Sequence, residues 1–517
     1  MSSPADNPLT DHPGPAMDTR FFGHPRGLST LFFTEMWERF SYYGMRAILI
    51  LYMTAPLAIG GLAFPDEKAG IIYGTYTSLV YLTALPGGWL ADKLMGPRRA
   101  VFWGGVLIMF GHICLAVPQM ATFYLGLLLV VMGTGLLKPN ISVMVGQLYS
   151  PEDARRDAGF SIFYMGINLG AGTAPLVCGF LAQSPKFREI LAGWGLSPES
   201  SWHWGFGAAA VGMFLGLVQY SLGGKRLGTA GLAPAPVKNP EEWSARKRTA
   251  MIAGGSVVLL IGIVVALAAA GVITVTPDGL GRVFGWVLLA TVLGFFIWLF
   301  TASDWTPQER KRLIVIFVLF LAASVFWSVF EQAGSTLNLF AERSTRNSVF
   351  GLEFPASFWQ SVNSAFLVLL APVFAALWLR LGPRDPSSPT KFSAGLLFVG
   401  LGFVVLAGGA SIAATGVRVS PLWLVSVYLL HTIGELCLSP VGLSAMTRLA
   451  PVRIVGLMMG VWFMATSVGN YLGGRVAGLY QRFELPTLFL AVAGYAIIFA
   501  VILALLVRPI KRMLART

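Results

Sequence analysis

Long apolar runs separated by short polar breaks account for most of the chain. Runs near 29–56, 69–91, 99–118, 122–147, 158–182 and 203–223 each supply the roughly 20 residues that a membrane-crossing helix needs. After the polar stretch Lys225 to Arg248 come two more, near 249–273 and 283–302. A second series follows near 313–340, 356–381, 392–415, 421–448, 454–480 and 485–508. The pattern predicts an all-α polytopic membrane protein with 14 transmembrane helices, in the order six, two, six. Its expected divisions are a polar tail over 1–27, a six-helix bundle over 28–223, a linker over 224–311 that holds the extra pair, a second bundle over 312–510, and a tail over 511–517. Two blocks of nearly equal length, about 195 residues each, suggest the duplicated bundles of transporters, with a binding site between them near the midplane. The extra pair carries few intramembrane polar residues and is expected to be peripheral.

Composition sharpens this reading. Of the 517 residues, 55% are hydrophobic and only 12% charged, too few to cover the surface of a soluble protein of this size. Glycine, at 59 residues, falls inside the apolar runs, where it lets membrane helices approach closely. The +13 net charge is spread over short clusters between runs, which argues against a nucleic-acid partner. Counted with both termini inside, 25 Lys and Arg fall on the cytoplasmic side and 8 on the other, so both termini are expected in the cytoplasm. The first 27 residues lack a basic region leading into a short apolar stretch, so no cleavable signal is expected. Cys114, Cys178 and Cys437 lie in apolar runs without metal-ligand spacing and read as packing thiols.

The informative residues are the ionisable ones left inside the runs: Glu35, Glu38, Arg39 and Arg46 in the first, then Lys138, Glu331 and Glu435. Seven unpaired charges at mid-bilayer would cost ~20 kcal/mol, more than the net stability of a typical fold. They must face one another or a wet cavity. Glu35, Glu38, Arg39, Tyr42 and Arg46 share an arc of ~100° at 100° per residue, one polar stripe on an apolar helix. Part of that stripe could be an ion-pair staple between helices. Pro139 weakens the helix beside Lys138, which could then reach a cavity and neutralise a carboxylate of the first run. Glu331 and Glu435 have no base nearby in sequence, so their balance must come from another helix, a ligand or a proton, and each is a candidate proton carrier. His431, one turn before Glu435, is read as a packing residue before a relay, and His112 more so. Tyr42, Tyr43, Tyr81, Trp327 and Trp462 could line a pocket, and Trp327 shares a helix face with Glu331.

The segment Glu35-Met-Trp-Glu38-Arg39-Phe-Ser-Tyr42-Tyr43-Gly44 resembles the signature of the proton-coupled oligopeptide transporter family (POT, or PTR) of the major facilitator superfamily, in its bacterial form. Further similarity lies in Val80 to Thr83, Gly87 to Asp92, Gly133 to Asn140, Gly159 to Phe163, Gly166 to Gly170, Phe358 to Asn363 and Gly434 to Pro440. The resemblance implies a major facilitator fold in the plasma (inner) membrane, functioning as a monomer and importing di- and tripeptides by alternating access, with the proton as coupling ion and no other cofactor. It implies that Arg46 and Lys138 attract the peptide carboxylate and that Asn168, Asn363 and Glu435 engage its amino end. Tyr42, Tyr43, Tyr81, Trp327, Trp462 and Ser439 are then pocket walls, and Glu35, Glu38, Arg39, Lys138 and Glu331 the proton-coupling set. The physics is compatible: bases on one bundle and Glu435 on the other match the two poles of a peptide. Rival readings are a proton-coupled carrier of nitrate, a drug or an amino acid, and an intramembrane enzyme, which short loops and dispersed charges disfavour.

Overall fold

The computed structural model describes residues 19–150, 152–237, 239–301, 304–451, 454 and 457–515. Three members of the basic set, Lys238, Arg453 and Arg516, lie outside the described residues, as does most of the N-terminal tail.

The chain is almost wholly helical. One group comprises α1 (Gly27–Thr54), α2 (Asp66–Leu82), α3 (Ala84–Leu90), α4 (Pro97–Leu115), α5 (Met120–Gln147), α6 (Arg156–Gln183), the short α7 (Pro185–Gly193) and α8 (Ser201–Gly223). Then come α9 (Pro240–Ala269) and α10 (Pro277–Thr301). The last group is α11 (Pro307–Phe330), α12 (Thr336–Ser344), α13 (Gln360–Leu381), α14 (Ser388–Ala413), α15 (Leu422–Leu449), α16 (Met458–Ala477) and α17 (Leu485–Ala515). A two-stranded hairpin pairs Ser348 with Glu353 and Val349 with Leu352.

Among the described residues, 11 helices are long and apolar enough to cross a bilayer. The exceptions are informative. α1 carries the charged stripe, α2 stops after 17 residues, and α16 mixes Asn470 and Arg475 with four glycines. Length therefore excludes α2, whereas α1 and α16 carry polar and charged side chains along their lengths.

Two of the expected continuous segments are broken. The run 69–91 divides at Thr83, because Pro86 has no N–H to return to Leu82. The run 313–340 is well started, with Pro307 at its first position and a reciprocal Thr306–Glu309 capping box, but it ends at Phe330. A tight 3-10 turn over Glu331–Gly334 follows, and α12 then resumes the path.

Packing divides the helices as their order suggests. α1 lies against α6 and α8, and α4 against α5 and α8, while α14 packs on α15 and α17 and α11 on α14, α16 and α17. The two groups meet chiefly through α2 on α16 and α6 on α13. At the first of these seams the backbones nearly touch: a Cβ on Gly74 would stand 2.6 Å from the Cα of Gly474, and one on Gly70 2.5 Å from the Gly478 nitrogen. Ser78 Oγ and Ser467 Oγ lie 2.7 Å apart there and each donates to the other's carbonyl, at 2.7 and 2.9 Å.

The extra pair is not uniform. α9 has no buried residue, as expected of a peripheral helix, whereas α10 buries Gly281, Leu288, Phe296 and Leu299 along one face. All three cysteines are free, with Cys178 and Cys437 buried and Cys114 half-buried.

Candidate substrate site

α1 passes through the middle of its group, and only its polar stripe distinguishes it from a core helix. Glu35, Glu38, Arg39, Tyr42 and Arg46 are all buried, as the inward stripe requires. Arg39 Nε lies 3.1 Å from Glu35 and also pairs with Glu38, so this part of the stripe is an ion-pair staple within α1. One oxygen of each glutamate and one nitrogen of Arg39 nevertheless stay buried without a partner.

Two turns on, Arg46 crosses to the other group. Its Nη2 stands 2.5 Å from Glu331 Oε2 and 3.2 Å from the Glu331 carbonyl, and its Nε donates to the Tyr73 hydroxyl at 2.8 Å. Both members of the pair are buried. The break after α11 makes this possible: Gly334 lies so close that a Cβ there would sit 2.7 Å from Arg46 Nε and collide with the Tyr73 hydroxyl. Glu331 thus finds its base on another helix. Arg46, which the resemblance assigned to a peptide carboxylate, is already engaged by a protein carboxylate in this state.

Lys138 departs from expectation too. Its ammonium rests 3.8 Å from the Tyr81 ring centre, a cation–π contact, and no carboxylate lies within 4.0 Å among the described residues. It stays within electrostatic range of Glu35, Glu38, Arg39 and Glu331. α5 runs on through Pro139, which leaves the lysine half-buried beside the seam. On the opposite group, Asn363 Nδ2 donates to Glu435 Oε2 at 3.1 Å and approaches Thr432 Oγ1 at 3.0 Å.

Aromatic groups connect these charges. Tyr42 and Tyr43 meet edge to face at 5.3 Å, with Arg39 over the first ring and Arg46 over the second. Trp327 and Trp462 meet edge to face at 6.1 Å, and the Trp327 Nε1 has no partner. Tyr43 lies within electrostatic range of Arg39, Arg46, Glu331 and Glu435 together. His431 is stacked on Phe403 at 5.7 Å and is a packing residue; His112 is fully buried with both ring nitrogens unpartnered.

A cavity of about 1980 Å³ lies between the two groups. Its mouth is at Asp92, Arg448, Lys391 and Leu514, on the side where α1 begins and α17 ends. Its lining also includes Ala84, Asn140, Asn168, Leu367 and Leu436. Of the expected site residues only Asn168 and Ser439 line it directly. Four others lie on the same helices within about a turn of lining residues: Tyr81 precedes Ala84 by three residues, Asn363 precedes Leu367 by four, and Lys138 and Glu435 adjoin Pro139 and Leu436. Beyond them the far side is shut by Arg46–Glu331 and by a two-pronged pair in which Arg343 donates to Asp66 at 2.6 and 2.8 Å.

Tyr73, Gly334, Asp66 and Arg343 were not singled out by sequence reasoning. Arg343 counted only as a loop base, and nothing in the sequence couples it to Asp66. Among the described residues no group of three or more His, Cys, Asp or Glu gathers to hold a metal.

The profile PTR2, described as the POT family, matches residues 98–239 and 288–491. A peptide transporter of Yersinia enterocolitica is 42% identical over 510 residues, 96% of each chain. A di-/tripeptide transporter of Lactococcus lactis is 37% identical, covering 96% of this chain and 97% of its own. A crystal structure of a mutant of peptide transporter POT in complex with alafosfalin superposes with a TM-score of 0.85 at 42% identity, covering 95% of this chain and 96% of the other.

Proposed function

Because this chain belongs to the POT family, we propose that it is a proton-coupled symporter that imports di- and tripeptides by alternating access, binding the peptide between its two helical groups. In this reading α1, α2 with α3, and α16 also span the bilayer, which makes fourteen spans in two six-helix bundles and an inserted pair. The protein sits in the plasma membrane as a functional monomer with both termini in the cytoplasm. The cavity then opens inward. The relatives named as peptide and di-/tripeptide transporters support the substrate class.

The observation that carries the mechanism is the buried Arg46–Glu331 pair joining the two groups beyond the blind end of a one-sided cavity. A buried pair is held by both charges, and removing one leaves the other uncompensated at a cost of about 3–5 kcal/mol. A proton delivered to Glu331 from the far side removes its charge, so the pair lets go and that side can open. Arg46 is then free, and with Lys138 it presents two positive charges to a peptide carboxylate. Glu435, steadied by Asn363, faces the ammonium end. A bound peptide bridges the two groups as the lost pair did, so the loaded carrier can close again and release inward. Arg39 holds Glu35 and Glu38 together, two acids on one base, which leaves one negative charge on the stripe for Lys138 or a proton to balance.

Reconstituted protein should concentrate labelled dialanine when the outside is acid and the inside negative, and unlabelled di- and tripeptides should compete while free amino acids and nitrate do not. Uptake that ignores dipeptide competition would refute the substrate class. Accumulation that persists after both gradients are collapsed would refute proton coupling.

A further inference from the structure

We infer that α10 is a side wall of the transport cavity, with Thr291 and Phe295 facing its water while the rest of its outer surface faces lipid. Three observations converge on this. Thr291 and Phe295 line the cavity, alongside Val315 and Leu319 of α11 and across from Leu85 and Trp89 of α3. α10 is fastened along its length on one stripe: Gly281, Leu288, Phe296 and Leu299 are buried at helical spacing, whereas its neighbour α9 buries nothing. Its fastenings reach both halves of the molecule. Tyr471 of α16 donates to the Gly281 carbonyl at 3.1 Å, Arg475 of α16 reaches Asp278 at 3.4 Å, and Phe296 meets Phe317 and Phe320 of α11 at 4.8 and 4.9 Å. Gly281 also lies on Ile71 and Thr75 of α2.

These contacts place α10 over the flank where the two halves part around the cavity. Near the shut side it bridges α2 and α16. Toward the open side it holds α11 through Phe296, and residues of α10 and α3 both line the cavity there. An apolar helix seated there stops acyl chains from filling the gap through the flank, and it gives α3 a surface to close against when the cavity shuts. The extra pair is therefore half wall and half outrigger, and α10 shapes the chamber whatever solute the carrier takes.

The inference rests on the carrier reading for the chamber's purpose, but its test needs no transported solute. Single cysteines are placed at Thr291 (T291C), at Phe295 (F295C) as a second reporter, and at Leu293 (L293C), which is exposed on the outer face of the same turn. Each full-length protein is reconstituted and treated with a membrane-impermeant maleimide, with the parent and its three native cysteines as background. A thiol reacts as thiolate and needs water, so positions 291 and 295 should label at least about tenfold faster than 293. Equal, slow labelling of all three, with fast labelling only by a lipid-soluble maleimide, would overturn the inference. That outcome would leave peptide uptake by the parent unaffected, so the two readings fail separately.

Discussion

Arg46 is the residue on which the two halves of the protein most directly depend, and its neighbours make sharp predictions. Tyr73 contributes one hydrogen bond to a buried cation, a contact worth about 1.5–3 kcal/mol. Tyr73→Phe should loosen the shut side without unfolding the protein. Spin labels at the exposed Glu67 and Arg346, on opposite groups, should then show a new population at longer separation; an unchanged distance distribution would mean that Tyr73 only packs. Gly334→Ala places a methyl where the Tyr73 hydroxyl and Arg46 Nε now lie, so it should abolish uptake and lower the unfolding temperature while the protein still reaches the membrane. Retained uptake would show that the tight fit at Gly334 is unimportant. The stripe on α1 was legible because four charges in an apolar helix have no other rationale. The identity of Glu331's partner was not, since Arg46 lies 285 residues away in sequence and only the tertiary fold brings them together. Tyr73 was hidden for a different reason: tyrosine is ordinary in membrane helices, and nothing local marks this one as a donor to a guanidinium.

At the scale of elements, the apolar runs predicted helix positions well, because hydrophobic length is what a bilayer selects. They failed where a helix stops inside the membrane's thickness. The turn at Glu331–Gly334 lies in an apolar run that reads as continuous, and its backbone is satisfied by local bonds such as Ser335 N–H to the Gln332 carbonyl and by Arg46 of α1, which donates to the Glu331 carbonyl. The inserted pair was read as uniformly peripheral for a related reason. α10 is apolar on every face, so no periodicity reveals which side meets protein, and the buried stripe emerges only once α11 and α16 are in place. The shut side offers a further test. Asp66 is buried and receives both prongs of the partly exposed Arg343, so the pair ranks between a surface bridge and a fully buried one, about 1–3 kcal/mol. Asp66→Ala should enrich the longer-distance population seen with the same two spin labels, and should do so additively with Tyr73→Phe, whose partners are separate. No shift with Asp66→Ala would assign the latch to α2 and α16 alone.

For the molecule as a whole, one-sided access and opposite-pole charge belong to the same design. The cavity is open where both described chain ends lie, and it is shut on the other side by ion pairs and by the Ser78–Ser467 clasp. In the proposed cycle, a proton entering from the shut side would act on the Arg46–Glu331 pair that holds that side closed. One proton driven by about 100 mV and one pH unit carries ~3.7 kcal/mol, enough for roughly 500-fold accumulation of a neutral peptide. The most direct measurement of this account compares the parent and Glu331→Gln in proteoliposomes, following labelled dialanine in two modes: gradient-driven accumulation, and exchange against internal unlabelled dialanine without a gradient. The parent should do both, and the glutamine variant, which cannot carry the proton, should exchange without accumulating. Gradient-driven accumulation by Glu331→Gln at the parent's level would contradict the claim that this carboxylate couples the proton to the opening of the shut side.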